Sequence, residues 1–492
     1  MARTGQCGRW RISLTVLTLL GCIAVSMLVP AMALGAQGHM MWWETKAPMP
    51  VAGRTRAIGA IAGQLYLLGG RNMGTRIDIY DPVSDVWTTP SYTLANPIGQ
   101  SGSLVSAVRN GIMYTVDGTQ LIGFDPTLPG PVKDWVVATL LYPVNGARGD
   151  IWNDTIYIFG GTEYLQAVDL SPNGQTGTVR VAASMPSARR FTPTFVADGY
   201  VYVCGGNITG VGGTDEVYRA AINTGLGTEG PLQPTTSFPV KRSGQSPQPF
   251  SNGRWYIATG LPYVDTLEFN ATGPTWTVIG SVPTPRFTAS AESYQDKLYT
   301  IGGADEADVD TNVNEVGHLE ACTDIVADAH GVPAGGGTVN VTVDGKQVQL
   351  LFPSSQTEGP LTVATMTNPP SPFPGGFMLK GVIYEISSGA LPEFPVDITL
   401  PYSGSKKPVI QHYTGKIDPG TGSPWSKTDT QVLSYGQGKV TFRTWSFSPF
   451  AVGEETETVS TPASSWWSSP LLVGLVVVSA LFVIGRRWSA SA

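Results

Sequence analysis

A short motif that recurs along the chain constrains its fold more than any other feature. An apolar run closes on a glycine doublet, a third strand follows, and a tryptophan ends the unit. The first full copy lies between Arg54 and Trp87: Leu65-Tyr66-Leu67-Leu68 stops at Gly69-Gly70, Ile77-Asp78-Ile79-Tyr80 resumes, Asp81-Pro82 turns, and Trp87 closes. Apolar runs of this length bounded by Gly, Pro and Asp read as strands, so each unit is four short strands. Later copies end their second strands at Asp117-Gly118, where the doublet is degraded, then Gly160-Gly161, Gly205-Gly206, Thr259-Gly260 and Gly302-Gly303. Counted on the second position, the spacings are 48, 43, 45, 54 and 43 residues. Tyr80, Phe124, Tyr218 and Phe269 mark third strands; Trp87, Trp135 and Trp276 mark fourth strands.

At these residues the chain resembles the kelch family, whose units of roughly 50 residues place a glycine pair after an apolar strand and then spaced Tyr and Trp. The resemblance covers about residues 41 to 316 and implies an all-β fold, a β-propeller in which each repeat is one four-stranded blade. Trp43, Pro50 and Arg54 repeat the spacing of Trp276, Pro283 and Arg286, which makes Trp43 the fourth strand of a blade whose other strands lie elsewhere. The last repeat, Arg286 to about Val316, has three strands and no closing tryptophan. The expectation is a six-bladed propeller over 41–317, closed by the N-terminal strand completing the last blade.

From 319 to 453 the doublet period stops and alternating strands such as Thr338-Val339-Asn340-Val341-Thr342-Val343 begin, implying a β-sandwich. Residues 334–339, 381–386, 395–402 and 447–452 resemble the ZU-five type β-sandwich of ankyrins and netrin receptors; Lys406 to Ser426 departs from that pattern. Such modules serve as spacers or adhesion units. Residues 454–469, rich in Thr, Ser and Glu, read as a stalk.

Both ends carry targeting signals. Arg3, Arg9 and Arg11 precede an apolar run to about Leu28 and then Ala31, Ala33 and Ala36, the pattern of a secretory signal peptide over 1–36, with an uncleaved anchor as the rival. Near the other end Trp466 to Gly485 is 20 residues, sufficient to cross a bilayer as a helix, placed over 470–487 with Arg486-Arg487 on the cytoplasmic side. A sorting tail removed by processing is the alternative. The expected location is the cell membrane, single-pass, with the bulk of the chain exported. An exporting context permits a disulfide, yet Cys204 sits on an apolar strand, where a packed thiol is the rival to pairing with Cys322.

Charged residues are 14% of the chain, with no basic patch, which excludes a nucleic-acid partner. His39, His318, His330 and His412 are the only histidines, and none lies between Trp43 and Val316. The constellation of the copper-containing kelch propellers that oxidise sugars is therefore missing. Asp308, Asp310 and Asn312 alternate as calcium ligands would, without the glycine of an EF-hand loop; a solvated acidic loop is the alternative, and no other cofactor is indicated. Arg54, Arg56, Arg189, Arg190, Arg242 and Arg286 precede second strands at nearly equal offsets, and Arg54, Arg189, Arg242 and Arg286 are the candidates among them. The resemblance to sialic-acid-handling kelch propellers makes them ligand-binding candidates for a carboxylate, while the blade pattern makes them structural bonds to loop carbonyls. Trp152, Trp425 and Trp445 are left as exposed carbohydrate platforms.

The leading functional expectation is a non-catalytic module that binds a protein or glycan through rim loops 71–76, 207–214 and 304–312. The alternative is an epimerase- or mutarotase-like enzyme acting on an acidic sugar in the channel, using arginines with Glu292 or Asp296.

Overall fold

The computed structural model describes residues 38–223, 228–260, 265–321, 324–390, 392–415, 418, 420–447 and 449–456. The expected signal peptide, most of the stalk and the C-terminal helix lie outside them. Within them the secondary structure is entirely strand and turn, and no helix is long and apolar enough to cross a membrane.

Residues 39–321 form six principal sheets. Ala57–Ile61, Gln64–Leu68, Ile77–Asp81 and Val86–Thr88 make the first; Ala107–Arg109, Ile112–Asp117, Gln120–Phe124 and Asp134–Thr139 the second. The third runs through Arg148–Trp152, Thr155–Phe159, Tyr164–Leu170 and Gly177–Ser184, with Leu104–Val105 parallel at its inner edge. Thr194–Ala197, Tyr200–Cys204 and Val217–Asn223 make the fourth, whose outer strand is split into Thr228–Glu229 and Gln233–Thr235. The fifth comprises Gln248–Pro249, Trp255–Ile257, Asp265–Asn270 and Thr275–Ser281.

The sixth draws on both ends of this region. Ser290–Tyr294, Lys297–Ile301 and Asn314–Ala321 are completed by His39–Thr45, with Trp43 opposite Gly317. The pairing matches the one inferred from the Trp43 and Trp276 spacing, and it covers what would otherwise be an open sheet edge.

The packing follows from alternation along the second strands. In Thr155–Phe159, Ile156 and Ile158 join a core with Tyr114, Val116 and Leu121 of the second sheet, while Tyr157 and Phe159 join one with Val201 and Val203 of the fourth. Such a strand is buried on both faces, which is why it reads as a continuous apolar run. A separate core fills every junction between neighbouring sheets. The junction between sixth and first, where Tyr299, Ile301 and Val316 meet Ile58, Leu67 and Tyr80, closes the circuit.

Hydrogen bonds trace the same circuit at the inner strands. Ser290 Oγ donates to Arg56 O (2.6 Å), the Ile58 amide to Ser106 Oγ (3.1 Å), and the Ala147 amide to Ser103 Oγ (3.1 Å). The Val196 amide then donates to Asp150 Oδ2 (2.9 Å), the Thr194 amide to Ser246 Oγ (3.1 Å), and Gln245 Nε2 to Ala289 O (3.0 Å). Sheets arranged around an axis in this way have the architecture of a β-propeller.

Residues 324–455 form two facing sheets. One contains Asp324–Val332, Gly359–Met366, Phe377–Ser388, Phe450–Glu455, Val409–Tyr413 and Trp425–Ser426; the other contains Gly337–Val343, Lys346–Phe352, Val396–Pro401, Lys439–Thr444 and Thr430–Gly436. Val341, Leu350, Ile398 and Phe442 from one face pack on Val363, Ile386, Ile410 and Val452 from the other. The stretch 406–426, which no sequence pattern covered, supplies the strand at Val409–Tyr413. The sandwich joins the propeller along the outer strands of the fifth and sixth sheets, where Met40, Trp42, Trp43 and Ile279 share a core with Met366, Ile383, Tyr413 and Ala451.

Candidate functional site

The arginine candidates are buried within or between the blades. Arg242 is paired with Asp265, and Arg286 with Glu315, each pair fully excluded from water. Arg189 reaches Glu216 and donates to Gly205 O. In the first blade the equivalent role falls to Arg56, which is paired with Asp78 (2.5 Å) and donates to Gly69 O (2.8 Å) and Leu67 O (2.9 Å). Each of these arginines ties the approach to the first strand to the carbonyls where the second strand ends and to a carboxylate at the start of the third. A buried cation needs such a partner, and guanidinium groups so engaged do not converge on a ligand.

Arg54 has a different task. Its guanidinium engages Asp308 and Asp310 and donates to Asp308 O (2.6 Å). The hydrogen bond from Arg54 keeps the Asp308 carboxyl below its ordinary range. A guanidinium thus stands against the two carboxylates proposed as calcium ligands, and Asn312 turns instead to Met49 O (3.4 Å). Among the described residues no three His, Cys, Asp or Glu side chains are gathered as a metal site.

These bonds shape the rim. Arg54 fastens the 304–312 loop of the sixth blade to the first, and Arg71 of the neighbouring loop lies 3.9 Å from Asp308. The 207–214 loop is a small hairpin, Asn207–Ile208 with Gly212–Gly213, braced by Arg189–Arg190. At the loop tips Val211 is 76% exposed and Val309 57%.

The axial channel contains Arg148 and Asp150, which the repeat pattern does not single out, and Glu292, the acid expected there. Arg148 is fully buried and hydrogen-bonded only to carbonyls, those of Gly244, Gly102 (3.2 Å) and Ala147 (2.8 Å), while its face lies 5.7 Å from the Phe191 ring. Burial without a carboxylate partner pulls its pKa down to about 9. Beside it the cavity bounded by Ser106, Gln245 and Ser290 is about 20 Å³, room for one water and none for a sugar ring. Two residues further along their strands stand Asp150 and Glu292. Burial, opposed by the Val196 and Ile151 amides, raises Asp150 to about 6; burial and the Asp150 charge raise Glu292 to about 8. The strand alternation of Arg148, Asp150 and Trp152 was the available signal, since every second residue of an innermost strand faces the axis.

Asp296, the other acid considered, lies outside the channel. It is exposed at a turn, where Ser251 bonds its carboxylate and holds its pKa down. Of the three tryptophans, Trp445 is half exposed, Trp152 is partly buried between blades, and Trp425 is buried with Nε1 donating to Ser371 O (2.9 Å).

The circular arrangement defines the class as a β-propeller followed by a β-sandwich, and the doublet-ended second strands are similar to those of kelch repeats. Over 248 residues the chain is 26% identical to Kelch-like protein terF of Aspergillus terreus, a match that takes in 44% of this chain and 53% of that protein. The chain thus spans about half the length of this curated relative. The solved structure of YjhT aligns with 55% of this chain and 95% of its own, at 14% identity and a TM-score of 0.44. No family model matches.

Proposed function

We propose that the chain is an exported, membrane-anchored, non-catalytic recognition protein. A six-bladed kelch propeller, carried on a ZU-five-like sandwich and stalk, binds a protein or glycan outside the cell, with no cofactor required. The observation that carries this reading is the rim. Arg54 locks the 304–312 loop against the first blade, and neighbouring side chains are left exposed on rigid supports, the usual basis of loop recognition. The test is cross-linking on intact cells with the full chain and its Val211→Asp and Val309→Asp variants. One cross-linked partner is expected for the unaltered chain and its loss from the variants; identical patterns would remove the rim from the proposal. Protease treatment of the same cells should cut the propeller while carbonate washing leaves the tail in the membrane.

A second reading has one observation in its favour. Asp150 and Glu292 are paired acids with raised pKa values, a combination suited to acid–base work on a surface carbohydrate. Turnover of an acidic sugar that disappears in Glu292→Gln would favour it over the binding module.

A further inference from the structure

Another candidate space lies off the axis, at the junction of the propeller and the sandwich. It is a cleft of about 580 Å³ between the outer strands of the fifth and sixth blades and the sandwich, within the roughly 300–1,000 Å³ range of small-molecule sites. Trp42 and Trp43 line it from the propeller; Tyr413, Trp445 and Phe447 line it from the sandwich. Trp445 is 50% exposed, so the cleft has an aromatic face at its mouth. Trp42 is held rigidly, stacked on His318 at 3.9 Å and 3° and edge-on to Tyr413.

Besides the Ser281 hydroxyl, which can both donate and accept, three polar atoms on residues of this lining have no hydrogen-bond partner: Trp42 Nε1, Glu385 Oε2 and His412 Nε2. Their residues are 9%, 1% and 1% exposed, and a buried polar atom without a partner is costly. Their chemical types are informative. The indole N–H of Trp42 only donates. His412 Nδ1 lies 2.6 Å from Asp429 Oδ2, so Nδ1 is the donor, and in the neutral ring Nε2 is then an acceptor. Glu385 adds a carboxyl group at the inner end.

A ligand that satisfies all three must both donate and accept. An ammonium group only donates and leaves Trp42 unmatched. A carboxylate or phosphate only accepts, leaves His412 unmatched, and meets Glu306 in a lining whose described residues include no lysine or arginine. Hydroxyl groups do both, and the apolar face of a sugar ring suits an indole.

We propose that this cleft binds a short neutral saccharide, with ring faces on Trp445 and hydroxyls on Trp42, Glu385 and His412. The site is centred on the junction of propeller and sandwich, touches the rim loop 304–312 only at Glu306, and does not depend on what the rim recognises.

The test is calorimetric titration of the full chain in a polyoxyethylene detergent, which carries no sugar headgroup. The probes are an array-selected neutral oligosaccharide, sialyllactose and tetramethylammonium. Saturable binding of the neutral probe is expected, weakened at least tenfold in both Trp445→Ala, a half-exposed position whose truncation leaves the fold intact, and Glu385→Gln. Val211→Asp should bind the saccharide as the unaltered chain does, which separates this site from the rim. Absence of binding by every neutral saccharide on the array overturns the proposal. So does preference for sialyllactose or tetramethylammonium, or neutral binding unchanged by Trp445→Ala.

Discussion

The amide of Gly303, the second glycine of the last doublet, donates a 2.9 Å hydrogen bond to the carbonyl of Gly53, just ahead of the first blade. The same bond recurs around the ring: Gly70 to Ile98 O, Gly161 to Arg189 O, Gly206 to Arg242 O and Gly260 to Arg286 O, at 2.7–3.2 Å. Each doublet therefore grips the segment that leads into the next blade, and the last grips the first. In the second repeat, where Asp117 replaces a glycine, the joint runs the other way: the Val144 amide donates to Gly118 O (2.8 Å), while the Asp117 carboxylate accepts from the amides of Gln100 and Ser101 ahead of its own blade. The doublet is a joint between blades as much as a turn within one.

Gly303 cannot be replaced without loss. Its φ is +101°, and an added Cβ would lie 2.7 Å from Phe287 O, a backbone atom with little freedom to move. Gly303→Ala should destabilise the propeller by about 1–3 kcal/mol through left-handed strain and the clash together. Gly111, which also has positive φ but meets no atom within 4 Å, should cost less on the same change. Urea unfolding of the two variants, followed by tryptophan fluorescence, compares them directly.

The Arg242–Asp265 pair gives a decisive measurement of what the blade arginines do. Both side chains are fully buried, so Arg242→Met leaves a carboxylate stranded and should cost about 3–5 kcal/mol. Changing both residues, Arg242→Met with Asp265→Leu, removes the stranded charge and should recover much of that loss. Denaturant midpoints of the two single variants and the double variant complete the cycle. A midpoint for Arg242→Met equal to that of the unaltered chain would return this arginine to the ligand-binding candidates.

The sheets were legible because period and spacing are local signals. The Trp43 and Trp276 spacing even located the strand that completes the sixth sheet. The arginines show where that legibility ends. Arg54 and Arg286 occupy matching places in the sequence, yet Arg56, two residues on, does in the first blade what Arg286 does in the sixth. The difference depends on Asp308 and Asp310, which reach Arg54 from the far end of the propeller. Trp425 reads as exposed because no blade-core position accounts for it; Phe373 and Tyr413 cover it in space. The cleft is less legible still, since Trp42, Glu385, His412 and Trp445 belong to four separated segments: the sandwich fold gathers the last three, and domain packing adds Trp42.

Cys204 offers a probe of opening between the fourth and fifth blades. Its thiol is fully buried in their shared core and unpaired, and desolvation pushes its pKa well up, so little reactive thiolate is present. Alkylation by iodoacetamide at neutral pH, with the modified site read by mass spectrometry, should follow the rate of unfolding rather than that of an exposed thiol. Rapid labelling of Cys204 in the folded chain would show that this junction opens locally.

The channel acids set a pH dependence whose sign can be worked out. Glu292 in the folded chain holds its proton up to about pH 8, whereas an unfolded glutamate releases it near pH 4.3. Between those values the folded state binds more protons, so raising the pH favours unfolding. Asp150, raised to about 6, acts in the same direction over the lower part of the window. The stabilising contribution is thus complete below about pH 4 and is lost as the pH approaches 8. Glu292→Gln keeps an uncharged side chain of the same shape at every pH. Relative to the unaltered chain, its thermal midpoint should gain steadily between pH 5 and 8, with the difference levelling off above 8. A constant offset between the two curves would mean that Glu292 titrates normally and that water fills the channel around it.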